Sequence, residues 1–346
     1  MMIFSEFQQI LKLVYSFVPK TKMQGPICGV IVDKDKNMLF ASTYEAGILH
    51  FLEDSVTEES LVLPERIVSK LLRLPSNTKW EGIKKKGSAY TIKVGEIVLT
   101  FSAKEGETVD YRIPKPEKGE ESQIVPAFLE GLRWIFPFAC EDDRKVNLHG
   151  VFVGEEHLYA CDNIRLTTLK VPTPEKLHNI FIPYNCLSFI KDRNEIFSVS
   201  CSESVLFFFS ESYLIYFTRI EGEFPSVDNF LEQVHAEPGF KVEVPCTDDL
   251  KLFCDLLSGD LDSIPLEVRI TKNVLEFRTC QLTGTTHSLE LGISCTAEKE
   301  GTIYVNARFF VEGLMLYRKF YVGGGWIYFK DEKSEYIVMR IRGPEE

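Results

Sequence analysis

One layout occurs three times along this sequence. It restricts the chain to tandem copies of one domain rather than a single large core or a short-period solenoid. The layout is plainest in the middle copy. Gly150-Val151-Phe152-Val153 alternates as a strand does, Glu155-Glu156 makes a polar turn, and Leu158-Tyr159-Ala160-Cys161 returns as a second strand. Asp162-Asn163 then breaks the run, because both residues close turns through their own backbone. Ile164-Arg165-Leu166 is therefore expected at a displayed sheet rim rather than inside a core. Such a rim is a place to bind something. Gly29, Gly150 and Leu266 stand at corresponding points of the three copies, so the period is close to a third of the chain.

Periodicity fills in each copy. In the first, Phe7, Ile10, Leu11, Val14 and Phe17 lie at helical spacing, and Pro19 closes the helix. Strands are predicted over 27–32 and 38–42. Residues 61–64 form a strand that ends in proline and leads into a helix over 65–74, and a hairpin over 90–93 and 97–102 turns at Gly95. Residues 114–122 are polar and proline-containing, as a linker is. In the second copy Val125, Phe128, Leu129, Leu132, Ile135 and Phe136 predict a helix. Ile180-Phe181-Ile182-Pro183 repeats the strand-and-proline entry to a helix through Cys186, Leu187 and Ile190, and 205–209 pairs with 213–217. A loop over 235–239 introduces the third copy. This has a helix through Leu250, Phe253, Leu256 and Leu257, a hairpin over 266–270 and 274–278, a helix over 307–320, and closing strands over 326–329 and 336–341. The reading is an α+β fold of three tandem domains, 1–120, 121–237 and 238–346. Each is an antiparallel sheet carrying two helices on one face, so that both layers bury an apolar side.

Composition narrows the function. At 346 residues and 45% hydrophobic content, each third can bury its own core. A net charge of -12 argues against a broad anion-binding surface, although it leaves a local basic face open. Nine cysteines without a Cys-x-x-Cys pair read as reduced thiols in a cytoplasm-like compartment, with no metal and no cofactor expected. The start carries no basic leader and no apolar run approaches membrane-spanning length, so a soluble protein that stays inside the cell is expected. The acidic pairs Asp142-Asp143, Glu155-Glu156 and Asp248-Asp249 are the material of a rival reading, a metal-dependent nuclease or phosphotransferase. They stand at turns and helix starts, where solvated loops and caps are the usual explanation. Gly323-Gly324-Gly325 follows a predicted helix and precedes a strand, the reverse of a phosphate loop, and the scattered histidines form no triad spacing. No catalytic residue is assigned.

Three segments, in order, carry a resemblance. Ala160-Cys161-Asp162-Asn163-Ile164-Arg165-Leu166 is similar to an Ala-Thr-Asp-Gly-His-Arg-Leu turn. Glu221-Gly222-Glu223-Phe224-Pro225-Ser226-Val227 is similar to Asp-Gly-Arg-Phe-Pro-Asp-Tyr, and Tyr336-Ile337-Val338-Met339-Arg340-Ile341-Arg342 to a closing Tyr-Val-Val-Met-Pro-Met-Arg-Leu strand. With the threefold repeat, the chain resembles the bacterial DNA polymerase III beta subunit, the sliding clamp, over nearly its whole length. The resemblance implies half of a closed ring: a head-to-tail homodimer around duplex DNA, helices lining the hole, placed by a clamp loader and tethering the replicative polymerase without catalysis. It implies a peptide pocket between the second and third domains, formed by Lys145, Leu148, Cys161, Asn163, Ile164, Arg165, Leu166, Pro225, Asn229, Phe230, Ile337, Val338, Met339 and Ile341. Lys12, Lys20, Lys22, Arg66, Lys70, Arg73, Arg133, Lys191, Arg193, Lys251, Arg308, Arg318 and Lys319, on or beside predicted helices, become the DNA-facing set. Basic helices inside and acidic loops outside would reconcile the net charge with encircled DNA. The dimer joint would pair residues 96–102 with third-domain elements near Leu256 and Leu257. Asn163 and Ile164 in place of Gly-His, Arg340 in place of proline, and an extended tail mark a divergent member, of the kind found in the cytoplasm of bacteria or of phage-infected cells.

Overall fold

A computed structural model describes residues 2–21, 23–25, 27–102, 111, 113–116, 121–219, 224–245, 265–279 and 290–343. They fall into two compact units. The first comprises Met1–Val125, Pro174–Leu177 and Arg193–Arg219; the second comprises Pro126–Thr173, His178–Asp192 and Ile220–Glu346.

The first unit opens with helix α1 (Phe4–Tyr15), whose Phe4, Phe7, Leu11 and Val14 bury one stripe. Phe7 stacks on Trp80 with ring centroids 4.5 Å apart. Strands β1 (Gly29–Asp33), β2 (Met38–Ser42), β3 (Ala46–Phe51) and β4 (Leu61–Pro64) follow, then helix α2 (Glu65–Leu71), entered through Pro64 with φ at -61°. Strands β5 (Trp80–Lys86), β6 (Ala89–Val94) and β7 (Ile97–Phe101) form a three-stranded sheet in that order. Strands β8 (Glu121–Gln123), β13 (Ser198–Cys201), β14 (Val205–Phe209) and β15 (Tyr213–Thr218) join the first four in one sheet, ordered β4-β1-β2-β3-β15-β14-β13-β8. The seam is the antiparallel pair β3 and β15, with Ile48 opposite Ile215. Ile31, Phe40, Leu49, Phe207, Leu214 and Tyr216 pack in one cluster across it.

The second unit repeats the arrangement. Its larger sheet is ordered β12-β9-β10-β11-β24-β23-β22-β16-β20. Its members are β9 (Gly150–Val153), β10 (His157–Cys161), β11 (Arg165–Lys170), β12 (Ile180–Pro183), β16 (Phe240–Glu243), β20 (Thr296–Ala297), β22 (Lys319–Val322), β23 (Trp326–Lys330) and β24 (Ser334–Met339). Here the seam is β11 against β24, with Leu166 opposite Ile337. A four-stranded sheet runs β19-β18-β17-β21, formed by β17 (Pro265–Ile270), β18 (Val274–Thr279), β19 (Glu290–Ser294) and β21 (Gly301–Asn306). The helices are α3 (Pro126–Ile135), α4 (Tyr184–Ile190), α5 (Asp228–Ala236) and α6 (Ala307–Leu316). Asn306 caps α6 by accepting the Phe309 N–H. The helix lies so close to the sheet that a Cβ on Gly313 would come within 2.6 Å of the Phe329 ring, which leaves room only for glycine. Among the described residues, no helix is long and apolar enough to cross a membrane.

Several sequence expectations are corrected. Of Ile164-Arg165-Leu166 only Ile164 is displayed at the sheet end: β11 is an interior strand, and Arg165 and Leu166 are buried. The Asp-Asn turn has the same local chemistry whatever strand follows it. The helix expected over 307–320 stops at Leu316, where Tyr317 turns extended, and alternating Phe320 and Val322 enter β22. Residues 235–236, expected in a loop, end helix α5, and the expected linker gives its last residues to β8. The expected helix near Leu250–Leu257 lies outside the described residues.

Candidate partner-binding groove

Strand register brings several of the candidate residues together. Along β10, β11, β24 and β23, Cys161 stands opposite Leu166, Leu166 opposite Ile337, and Ile337 opposite Tyr328. One step on, the Met339 N–H donates to the Ile164 carbonyl at 2.8 Å, and Met339 pairs with Trp326. Because strand side chains alternate, all of these point to one sheet face. Helix α5 and the residue before it cover part of that face with Val227, Phe230, Leu231 and Val234. Phe230 meets Trp326 edge-on at 5.9 Å. At the other end of α5, His235 Nε2 lies 3.0 Å from Glu335, and the Tyr328 hydroxyl donates to Glu335 at 2.6 Å. Beyond the helix the face opens. Ile164 is 40% exposed, Met339 39% and Ile341 37%, an apolar strip at the sheet end beside the covered cluster.

The structure brings Cys161, Ile164, Leu166, Phe230, Ile337 and Met339 together on this face. Burial pushes the Cys161 thiol up, which disfavours the reactive thiolate. Pro225 and Asn229 are exposed just before and within the first turn of α5. Lys145 reaches the Asp162 carbonyl at 3.5 Å. Asn163 holds the turn with φ at 81°, and Leu148 is buried. Leu166 is only 4% exposed, so Leu166→Asp would read stability as well as binding.

Two residues assigned to the groove lie on the opposite face. Val338 is fully buried there, and Arg165, its cross-strand partner, is enclosed with it. Arg165 Nε donates to Asp162 at 2.8 Å, Nη1 to Glu312, and Nη2 to the Pro137 carbonyl at 3.1 Å. Its guanidinium carbon lies 4.4 Å from the Phe309 ring centroid and 5.4 Å from that of Phe138. The Tyr336 hydroxyl donates to Glu312 at 3.1 Å. This cluster ties the Asp162 turn to α6. Trp326, Tyr328, Leu231 and Val234 were missed from sequence. Val227, Phe230, Leu231 and Val234 stand at i, i+3, i+4 and i+7, a helical stripe that would have revealed α5.

The proposed DNA-facing residues are dispersed. In the first unit Lys12, Lys20, Arg66, Lys70 and Arg73 are exposed, while Arg193 lies 3.7 Å from Glu195. In the second, Arg133 lies 3.8 Å from Asp192, which also pairs with Lys191, and Arg308 lies 3.6 Å from Glu312. Arg318 and Lys319 are not helical, and Lys22 and Lys251 lie outside the described residues. Of the acidic pairs, Asp142 holds Arg144 through two contacts of 2.8 and 2.9 Å, which bring its carboxyl down to about 2. Glu156 pairs with Lys170 at 3.2 Å, Asp143 and Glu155 are exposed, and Asp248-Asp249 lie outside the described residues. Among the described residues, no three His, Cys, Asp or Glu side chains are placed to hold one metal ion.

No protein-family model and no curated protein matches the sequence. Solved structures do match it in three dimensions. The Helicobacter pylori beta clamp bound to a DNA ligase peptide is 14% identical, with a TM-score of 0.78 over 98% of both chains. The Bartonella birtlesii DNA polymerase III subunit beta sliding clamp, bound to griselimycin, is 16% identical with a TM-score of 0.79 over 99% of both. The Thermotoga maritima DNA polymerase III beta subunit is 16% identical, with a TM-score of 0.78 over 99% of this chain and 98% of that one. From one end to the other, the chain therefore has the fold of the DNA polymerase III beta subunit sliding clamps.

Proposed function

We propose that this chain is the protomer of a sliding clamp. Two copies close head to tail around duplex DNA, and the open face beside α5 tethers the replicative polymerase and other partners. The carrying observation is the repeated strand seam. The third strand of the first copy, β3, pairs with the last strand of the second, β15; likewise β11 pairs with β24. By the same rule β19 awaits a last strand and β7 awaits a third strand. Among the described residues these two are sheet edges. A second copy completes both pairs at once, and the symmetry leaves neither of these two edges open. The three domains of this reading are 1–120, 121–237 and 238–346.

The free edges of the three-stranded sheet differ in a way that supports this joint. On β5, Lys84, Lys85 and Lys86 are exposed, the usual guard against strand addition. On β7, Ile97 and Val98 are 44% and 56% exposed with no such guard. Replacing both with lysine is expected to leave folded monomers in sedimentation at micromolar concentration, where the parent sediments as a dimer. A dimer that survives the double change places the joint elsewhere.

The Helicobacter pylori relative holds a DNA ligase peptide, and the apolar strip at Ile164 and Met339 would receive a peptide's apolar side chains in this chain. DNA would be held by topology and by sequence-independent contact with basic side chains such as Arg66 and Lys70, weakening as salt rises. The decisive experiment loads the protein onto nicked circular DNA with a clamp loader and then linearises the circle. Retention on circles and loss from linear ends are expected; equal retention on both would make the protein a static DNA binder.

A further inference from the structure

Arg340 stands between the exposed Met339 and Ile341, where the resemblance puts proline. Its main-chain N–H donates to the Gly325 carbonyl at 3.0 Å. Its Nη1 donates to the carbonyls of Gly324 at 3.0 Å and Gly323 at 3.3 Å. That glycine turn borders the groove wall: a Cβ on Gly323 would lie 2.5 Å from Nε1 of Trp326. The guanidinium is thus held by two main-chain carbonyls of this turn, at the sheet end where Met339 and Ile341 are exposed. Among the described residues its charge is not compensated. Both fixed partners are neutral carbonyls, Nε is enclosed without a partner, and no ion pair joins Arg340 to a carboxylate among the described residues. Arg165 on the opposite face shows the contrast, with two carboxylates around one guanidinium.

A half-buried cation held only by carbonyls costs free energy in the empty protein, and a carboxylate brought alongside recovers it. We propose that Arg340 is a specificity-determining residue of the groove, selecting partner peptides that carry an acidic side chain beside their apolar anchors. The proposal rests on the reading of this face as a peptide site. It adds a charge requirement to the apolar one. Because the turn holds the guanidinium in place before binding, little side-chain entropy is lost when the carboxylate pairs with it.

The test selects random short peptides displayed on phage against the whole protein and measures the affinities of the selected peptides. The expected result is a set of peptides with apolar anchors and one recurrent Asp or Glu. Changing that acid to Asn or Gln should weaken binding roughly tenfold. Arg340→Glu should reverse the preference toward Lys or Arg at the same position, and Arg340→Lys should retain it. If Arg340→Glu does not fold, Arg340→Gln removes the charge while keeping donors for the turn, and it should abolish the preference. Peptides lost on Ile164→Glu but indifferent to every Arg340 change would overturn this proposal alone. Peptides that bind Ile164→Glu as they bind the parent would remove the groove reading and this proposal with it.

Discussion

Replacing Ile164 and Met339 together with glutamate is expected to weaken partner-peptide binding about a hundredfold, because each change puts an unpaired charge where an apolar anchor would lie. Stability should change little. Both side chains are already substantially exposed, so neither carboxylate needs to be buried in the free protein. The backbone hydrogen bond from Met339 to Ile164 is untouched by the substitutions, so the end of the seam between β11 and β24 should hold. The measurement is titration of a fluorescent peptide selected on the parent protein, with thermal unfolding of parent and variant alongside. Unchanged affinity in a folded variant would move the partner site off this face. Dimerisation, assigned to β7 and β19, should be unaffected, which separates groove damage from ring damage in one preparation.

Arg165→Met should produce the largest loss of stability, about 3–5 kcal/mol, the usual cost of removing one member of a buried ion pair. The guanidinium is sandwiched by Phe309 and Phe138 and bonded to Asp162, Glu312 and a main-chain carbonyl. Methionine fills much of the volume but leaves Asp162 without the guanidinium and Glu312 with only the more distant Arg308, 3.6 Å away. Arg165→Lys keeps the charge and loses the fork that serves both acids, so it should fall between Arg165→Met and the parent. Urea unfolding followed by near-ultraviolet circular dichroism checks the order. The double change Arg165→Met with Glu312→Gln should cost less than the sum of the two single changes, because the second removes the charge that the first has stranded. A loss of under about 1 kcal/mol for Arg165→Met would mean that the two acids are rehydrated at little cost. The same cluster fixes the Asp162 turn, whose carboxylate accepts the N–H groups of Ile164 and Arg165. Partner affinity should therefore also fall in any Arg165 variant that loosens it.

The contrast between Arg165 and Leu166 shows where sequence reading stopped. The two are neighbours in one motif, and both were assigned to the same pocket. Once residues 165–170 are known to be a strand, alternation sends one to each face. The sequence conceals this, because β11 is covered on both sides and its buried run carries no polar-apolar alternation. The same holds for β3, which was not predicted at all: five of its six residues are buried. Strands of that kind advertise neither their faces nor their neighbours.

Local chemistry was legible in the chain alone. The recurrence of one layout, the proline entries at Pro64 and Pro183, the hairpins and the amphipathic stripes of α1 and α3 depend on short-range periodicity and backbone restriction, which a sequence carries directly. The tertiary structure alone decided that β3 pairs with β15 and β11 with β24, and that α5 covers one face while the Arg165 cluster closes the other. These are pairings between segments more than a hundred residues apart, or choices between two faces of one strand. No local pattern encodes them, because the free energy that selects each comes from surfaces that meet only after the chain has folded.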